Sequence, residues 1–178
     1  EGIGSDSRIG PKFLYAGVGY GGSCFPKDVK ALISTAKDAG MKLEIATSVE
    51  SANQKQKEVL FNKIVNHNKD GLQGKKFAVW GLAFKPETDD IREAPALVLI
   101  KQLLEANAVV SAYDPEAMDH VAEIFSGEKG LSLVQDPLAA LDGAEALVLV
   151  TEWQQFRNPN WDEVKSRLVH PVIYDGRN

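Results

Sequence analysis

The chain has 178 residues, 44% of them apolar, enough to bury one substantial core with a smaller appended unit. Its formal charge of −5 comes from interspersed signs with no basic stripe, which makes nucleic acid a poor partner. A single Cys excludes an intramolecular disulfide framework, His67, His120 and His170 have no zinc spacing, and no apolar run suits a bilayer span or a leader, so a reducing, cytoplasmic setting without membrane or metal is expected.

From Glu1 to Ser23 the sequence is rich in Gly and Ser, has no sustained period and opens without Met. It reads as a loop cut out of something larger. Pro26, Lys27 and Asp28 then introduce a helix over Val29–Ala39, with Val29, Leu32, Ile33, Ala36 and Ala39 at helical spacing and Gly40 as its C′ residue. Leu43 to about Asn68 carries a second helical pattern through Ile45, Val49, Ala52, Gln56, Val59, Leu60, Ile64 and His67, with Gly71 and Gly74 beyond it. A single helix of about 25 residues would span roughly 37 Å, more than a small domain needs, and suggests a connector that pairs with a second subunit.

Strand and helix signals alternate thereafter. Strands are expected at Lys76–Gly81, Val109–Tyr113, Leu131–Gln135, Ala146–Thr151 and Val172–Tyr174, and helices at Ala94–Ala106, Glu116–Phe125, Pro137–Leu141 and Trp161–Leu168. Such alternation predicts an α/β fold in which a long connecting helix is followed by a Rossmann-like doubly wound parallel sheet. The expected division is residues 1–73, with the cysteine segment and central helices, and residues 74–178, the sheet domain. Asp114–Pro115, Asp136–Pro137 and Asp142–Gly143 supply turn and cap chemistry at the boundaries.

The run Gly17–Val18–Gly19–Tyr20–Gly21–Gly22 has the spacing of a dinucleotide fingerprint, but the context is wrong. Cys24, Phe25 and Pro26 intervene before the helix, and Asp38 and Glu44 fall on helices rather than at the end of a second strand. A flexible loop whose backbone approaches a ligand is the better reading. A doubly wound nucleotide site belongs instead at Gly81–Glu87, with Asp114 ending the second strand, although only one glycine remains there.

Cys24 lies between those glycines and a helix N-terminus, where backbone amides favour a thiolate, and Lys27 adds positive charge. A small buried hydrophobe is the bland alternative. As a nucleophile, Cys24 would attack a carbonyl to give a thiohemiacetal or thioester, which fits either an aldehyde-oxidising enzyme or a hydrolase using a His base.

The segment Gly17-Val-Gly-Tyr-Gly-Gly-Ser-Cys-Phe-Pro-Lys-Asp28 resembles the active-site segment of the UDP-glucose 6-dehydrogenases, a branch of the nucleotide-sugar dehydrogenase family. Ser7–Leu14 upstream and Gly81–Glu93 downstream agree in order and spacing, so the resemblance covers essentially the whole chain. It implies two successive NAD-dependent oxidations at the sugar C6, with Cys24 carrying the intermediate and Asp28 orienting or activating water. Tyr15 to Gly21, including Tyr20, would wrap the substrate, while Phe84, Lys85 and Arg177 would hold the UDP portion. Lys27 and Arg92 would reach NAD, Arg8 would be offered to substrate in the partner subunit, and the long helix would build a homodimer.

Phe84 as core, Arg92 as a surface charge and Arg177 as a chain end are the competing readings of those residues. Sister enzymes act on GDP-mannose or UDP-N-acetylmannosamine. Tyr20 before Gly21 and Phe25 after Cys24 favour UDP-glucose. The resemblance further implies that NAD is bound mainly by an absent N-terminal domain, so that the fragment alone is inactive. A non-catalytic UDP-binding or dimerisation module is the alternative for the isolated fragment.

Overall fold

Five short apolar segments pair edge to edge in the computed structural model, which describes residues 2–177, the side chains of Lys12 and Phe13 lying outside the described set. The strands are β1 (Lys76–Trp80), β2 (Val109–Tyr113), β3 (Leu131–Leu133), β4 (Ala146–Leu149) and β5 (Ile173–Asp175). All pair in parallel, in the order β3-β2-β1-β4-β5. Helices α4 (Pro95–Glu105), α5 (Met118–Ile124), α6 (Pro137–Leu141), α7 (Gln154–Arg157) and α8 (Trp161–Arg167) fill the crossovers. The expected Rossmann-like α/β architecture is present.

Strand periodicity sorts the core into two layers. Phe77, Val79, Val110, Ala112 and Val148 face one side and pack with Leu99, Ile100 and Leu103 of α4 and Val121 of α5. Ala78, Trp80 and Leu147 face the other, with Leu141, Phe156 and Val164. Trp80 stacks on Phe156 at 5.0 Å, and its Nε1 donates to the Pro137 carbonyl at 2.8 Å. Helix α7, which supplies Phe156, has only four residues and no resolvable period, so the sequence reading passed over it.

Three helices precede the sheet: α1 (Phe25–Asp38), α2 (Glu44–Lys57) and α3 (Val59–His67). The single connector expected over Leu43–Asn68 is therefore divided at Glu58. There the backbone tightens, Glu58 N donating to Lys55 O at 3.2 Å, before the ladder resumes with Asn62 N to Glu58 O. The two pieces serve different neighbours. Leu60 and Ile64 of α3 enter the sheet core beside Val18, whereas α2 turns Asn53 and Lys57 inward. Leu32 of α1 and Ile45 of α2, both read as stripe positions, are 57% and 83% exposed.

The strand order places β1 at the centre, with successive crossovers leaving it in opposite directions. The crevice beyond the carboxyl ends of β1 and β4 is the place where open α/β sheets take ligands.

Candidate active site

The glycine run is packed against protein on its side-chain faces. A Cβ on Gly22 would lie 2.8 Å from the Phe84 ring, and one on Gly21 would lie 2.6 Å from the Glu93 carbonyl oxygen. Gly17 sits equally tightly against the Arg177 guanidinium. Gly22 N donates to the Arg92 carbonyl at 2.7 Å, so the run is seated on the loop that follows β1. Gly21 is buried there, and only its backbone groups are left to reach a ligand.

Cys24 follows as the N-cap residue of α1, with Pro26 in the first turn. Its carbonyl accepts from Asp28 N at 2.8 Å, its side chain is exposed, and Ser23 Oγ lies 3.7 Å from Sγ. Lys27 and Asp28 share that first turn as an exposed pair, 3.5 Å apart. The helix thus presents the thiol, a carboxylate and an ammonium at one end. The three histidines are engaged elsewhere, His67 with Tyr174, His120 with Asp89 and His170 with Glu145, so no imidazole backs Cys24 as a cysteine hydrolase requires.

The loop after β1 carries three of the expected residues. Phe84 packs on Gly22, Lys85 Nζ stands 5.4 Å from the Phe84 ring, and Arg92 forms a bidentate pair with Asp90 at 2.9 and 2.7 Å. That hydrogen bond raises the Arg92 guanidinium further above its ordinary value, helped by the charge of Asp90 and, after desolvation has opposed it, by the more distant Cys24. Phe84 N donates to Asp90 O at 3.0 Å, closing the loop on itself.

Asp114 fixes the root of this loop. Its Oδ2 accepts from Leu82 N (2.7 Å), Ala83 N (3.1 Å) and Trp153 Nε1 (3.0 Å), and its Oδ1 from Glu116 N and Ala117 N, both at 3.0 Å. The residue is fully buried. Asp114 is therefore consumed internally, which corrects its reading as the acidic partner of a nucleotide. Across the crevice Thr151 Oγ1 donates to Ala83 O at 2.6 Å, and Gly81 is needed because a Cβ would meet Thr151 at 2.5 Å.

Arg177 donates to Glu152 at 2.5 Å, while its backbone N donates to Asp175. Arg177 Nε and Glu152 Oε2 are buried without a hydrogen-bond partner among the described residues, so the pair keeps capacity for a ligand. Tyr15 is 65% exposed on the same segment as Gly17. Arg8 is solvent-facing and paired with Asp6 at 2.6 Å, making no contact with the Cys24 group.

Three positions escaped the sequence reading. Asn53 grips the Tyr20 backbone in both directions, accepting from its N at 2.8 Å and donating to its O at 3.1 Å. Lys57, with a side chain only 1% exposed, pairs with Glu93 at 3.0 Å, and Lys30 reaches the other oxygen of Glu93 at 2.6 Å. Asn53 and Lys57 are spaced i, i+4 on one helix face, the one signal that could have found them. Burial pushes the Tyr20 hydroxyl up, as does the charge of Glu50 beside it.

Residues 78–178 match the model described as the UDP-glucose/GDP-mannose dehydrogenase family, UDP binding domain, and residues 1–55 match the central domain of the same family. The chain belongs to the UDP-glucose/GDP-mannose dehydrogenase family. It is 49% identical to the UDP-glucose 6-dehydrogenase of Pseudomonas aeruginosa over 181 aligned residues, which cover 100% of this chain and 40% of that relative. To the UDP-glucose 6-dehydrogenase of Rhizobium meliloti it is 42% identical, again over 100% of the chain and 40% of the relative. A UDP-glucose dehydrogenase from the hyperthermophilic archaeon Pyrobaculum islandicum superposes with a TM-score of 0.82 at 34% identity, over 99% of this chain and 38% of that one. The chain spans about 40% of the length of these curated relatives.

A family of dehydrogenases raises the question of where a dinucleotide fits. In this chain the amides of Leu82 and Ala83, which a pyrophosphate would use, already serve Asp114. The glycine run is filled by Phe84, Glu93 and Arg177. Neither turn fits a dinucleotide pyrophosphate. Lys27 and Arg92 are exposed cations at 75% and 67%, and fit only a contact at the edge of a cofactor held by other residues.

In this family member the Glu93 carboxyl is held below its ordinary value of 4.5, first by the hydrogen bond from Lys30 and then by that from Lys57. The stability it contributes is fully present above that ordinary value and is lost as pH falls through the lowered one. Melting temperature measured from about pH 6 down to about pH 3 should therefore fall more gently in Glu93→Gln than in the parent. Parallel curves for the two proteins would refute the assignment.

Proposed function

We propose that this chain is the cysteine-bearing, UDP-sugar-binding part of a UDP-glucose 6-dehydrogenase, which oxidises the sugar C6 from alcohol through aldehyde to acid. The observation that carries the reading is the seating of the Cys24 segment on the loop of Phe84, Lys85 and Arg92 through Gly21 and Gly22. A nucleotide held by that loop would point its sugar toward the thiol. The identity to UDP-glucose 6-dehydrogenases along the whole chain supports UDP-glucose rather than GDP-mannose as the substrate.

In this reading the Cys24 thiolate adds to the C6 aldehyde, forming a carbon–sulfur bond, and the carbonyl oxygen takes a proton to give a thiohemiacetal. Loss of a hydride from C6 and of the hydroxyl proton leaves a thioester. Asp28, in the same helical turn, orients a water whose attack on the acyl carbon breaks the carbon–sulfur bond and releases the acid and the thiol. NAD, when bound, supplies the hydride acceptor for both oxidations. Lys27 and Arg92 would steady it, and the rest of its site belongs to residues of the longer protein beyond this chain.

Phe84, Lys85 and Arg177 hold the UDP portion, with the unsatisfied Arg177 Nε as a ready donor, while Tyr15, Tyr20 and the Gly21 backbone enclose the sugar. The open apolar positions Leu32, Met41, Ile45 and Val49 on and around α1 and α2 support a homodimer in which Arg8 serves the partner's substrate. No helix among the described residues is long and apolar enough to cross a membrane, and a cytoplasmic setting suits the free thiol.

The longer protein, given UDP-glucose and NAD, should form NADH with a stoichiometry of about two per sugar, as two hydride transfers to one carbon require. Turnover of GDP-mannose with UDP-glucose ignored would move the assignment to the sister activity.

A further inference from the structure

Through its carboxylate, Glu93 joins three segments. Its carboxylate reaches Lys30 on α1, the helix capped by Cys24, and the buried Lys57 on α2, beside the Asn53 that grips Tyr20. Its own backbone belongs to the loop of Phe84 and Lys85, and its carbonyl abuts Gly21. The backbone of Glu93 is left-handed, φ 56, a conformation an L residue with a long side chain rarely adopts. Contacts on both sides of the residue hold it there.

We propose that Glu93 is a positioning residue: its paired bonds to Lys30 and Lys57 lock the helix presenting Cys24 to the loop that holds the nucleotide, and so set the distance from thiol to sugar. This rests on the reading of Cys24 as the nucleophile. The charge of Lys57 is what makes the lock specific. An ammonium removed from water needs a charged partner, and Glu93 is the carboxylate paired with it among the described residues. Phe84 and Arg177 have anchors apart from the clamp: Asp114 holds the Leu82 and Ala83 amides just before Phe84, Phe84 N donates to Asp90 O, and Arg177 donates to Glu152. Nucleotide affinity and thiol placement are thus separable.

The test is Glu93→Gln in the full-length protein, with kcat measured on UDP-glucose and Kd measured for UDP alone by calorimetry. The glutamine keeps the shape but loses the charge at both arms. We expect kcat to fall about 10- to 100-fold, the effect of a misplaced reacting group, with the Kd for UDP within about threefold of the parent. A kcat within about twofold of the parent, or an equal loss of kcat and UDP affinity, would overturn the proposal.

If Glu93→Gln does not fold, Lys30→Gln removes the exposed arm, together with the looser 3.8 Å pair of Lys30 with Glu50, and should give the same split at about three- to tenfold in kcat, and an unchanged kcat there equally overturns it. Cys24→Ser measured alongside separates the two ideas. Full activity of that variant would refute the nucleophile itself, whereas an inactive Cys24→Ser with an unimpaired Glu93→Gln refutes only the clamp.

Discussion

Replacing Cys24 with Ser in the full-length protein should reduce formation of the acid by at least about 10³-fold, near 4 kcal/mol of barrier, while UDP still binds. A serine hydroxyl at the same N-cap has the shape of the thiol but is a far weaker nucleophile at neutral pH. Nothing nearby corrects this, since the three histidines are bonded to Tyr174, Asp89 and Glu145. Product chromatography with calorimetry on UDP checks both halves of the expectation. Acid formed at the parental rate would remove Cys24 from the chemistry.

Asp114→Ala carries the largest expected effect on stability, a loss of about 3–5 kcal/mol, because it strips the acceptor from several buried donors at once. Five N–H groups converge on that carboxylate, and four of those bonds, from Leu82, Ala83, Ala117 and Trp153, are buried. Asp114→Asn should cost nearly as much. The amide keeps one acceptor oxygen, and its NH2 group would face either two or three of the same donors. Urea unfolding of the full-length protein, followed by a probe on the sheet domain, measures both variants. A change below about 1 kcal/mol would mean that the loop amides find other partners.

The sheet was legible because its chemistry is local. Strand β2 falls at Val109–Tyr113 and α6 at Pro137–Leu141 as read, and Asp136 caps α6 by accepting from Leu138 N at 3.0 Å. Apolar runs between turn residues leave few alternatives for a strand buried on both faces. The central helices were harder. Helical period identifies a face but not its destination, and the stripe through Ile45 and Val49 lies outward while Asn53 and Lys57 point inward. A buried lysine is invisible to a hydrophobic pattern, since its partner Glu93 lies 36 residues away.

The site was legible in part for the same reason. Cys24 was found from its helix N-terminus and neighbouring glycines, and the structure places it at the N-cap of α1. Those glycines were read as a flexible loop whose backbone approaches a ligand; that their Cβ positions would meet Phe84 and Glu93 is a close approach no sequence reveals. Asp114 at the end of β2 occupied the place of a ribose-binding acid in the pattern. Only three dimensions show its oxygens turned to the amides of the neighbouring loop.

The most direct test is to quench the full-length protein during turnover of UDP-glucose with NAD and determine the mass of the peptide bearing Cys24. A thioester to the oxidised sugar nucleotide on Cys24, discharged on standing as acid appears, is the predicted result. Steady acid formation with Cys24 unmodified throughout, or the adduct on another residue, would contradict the account.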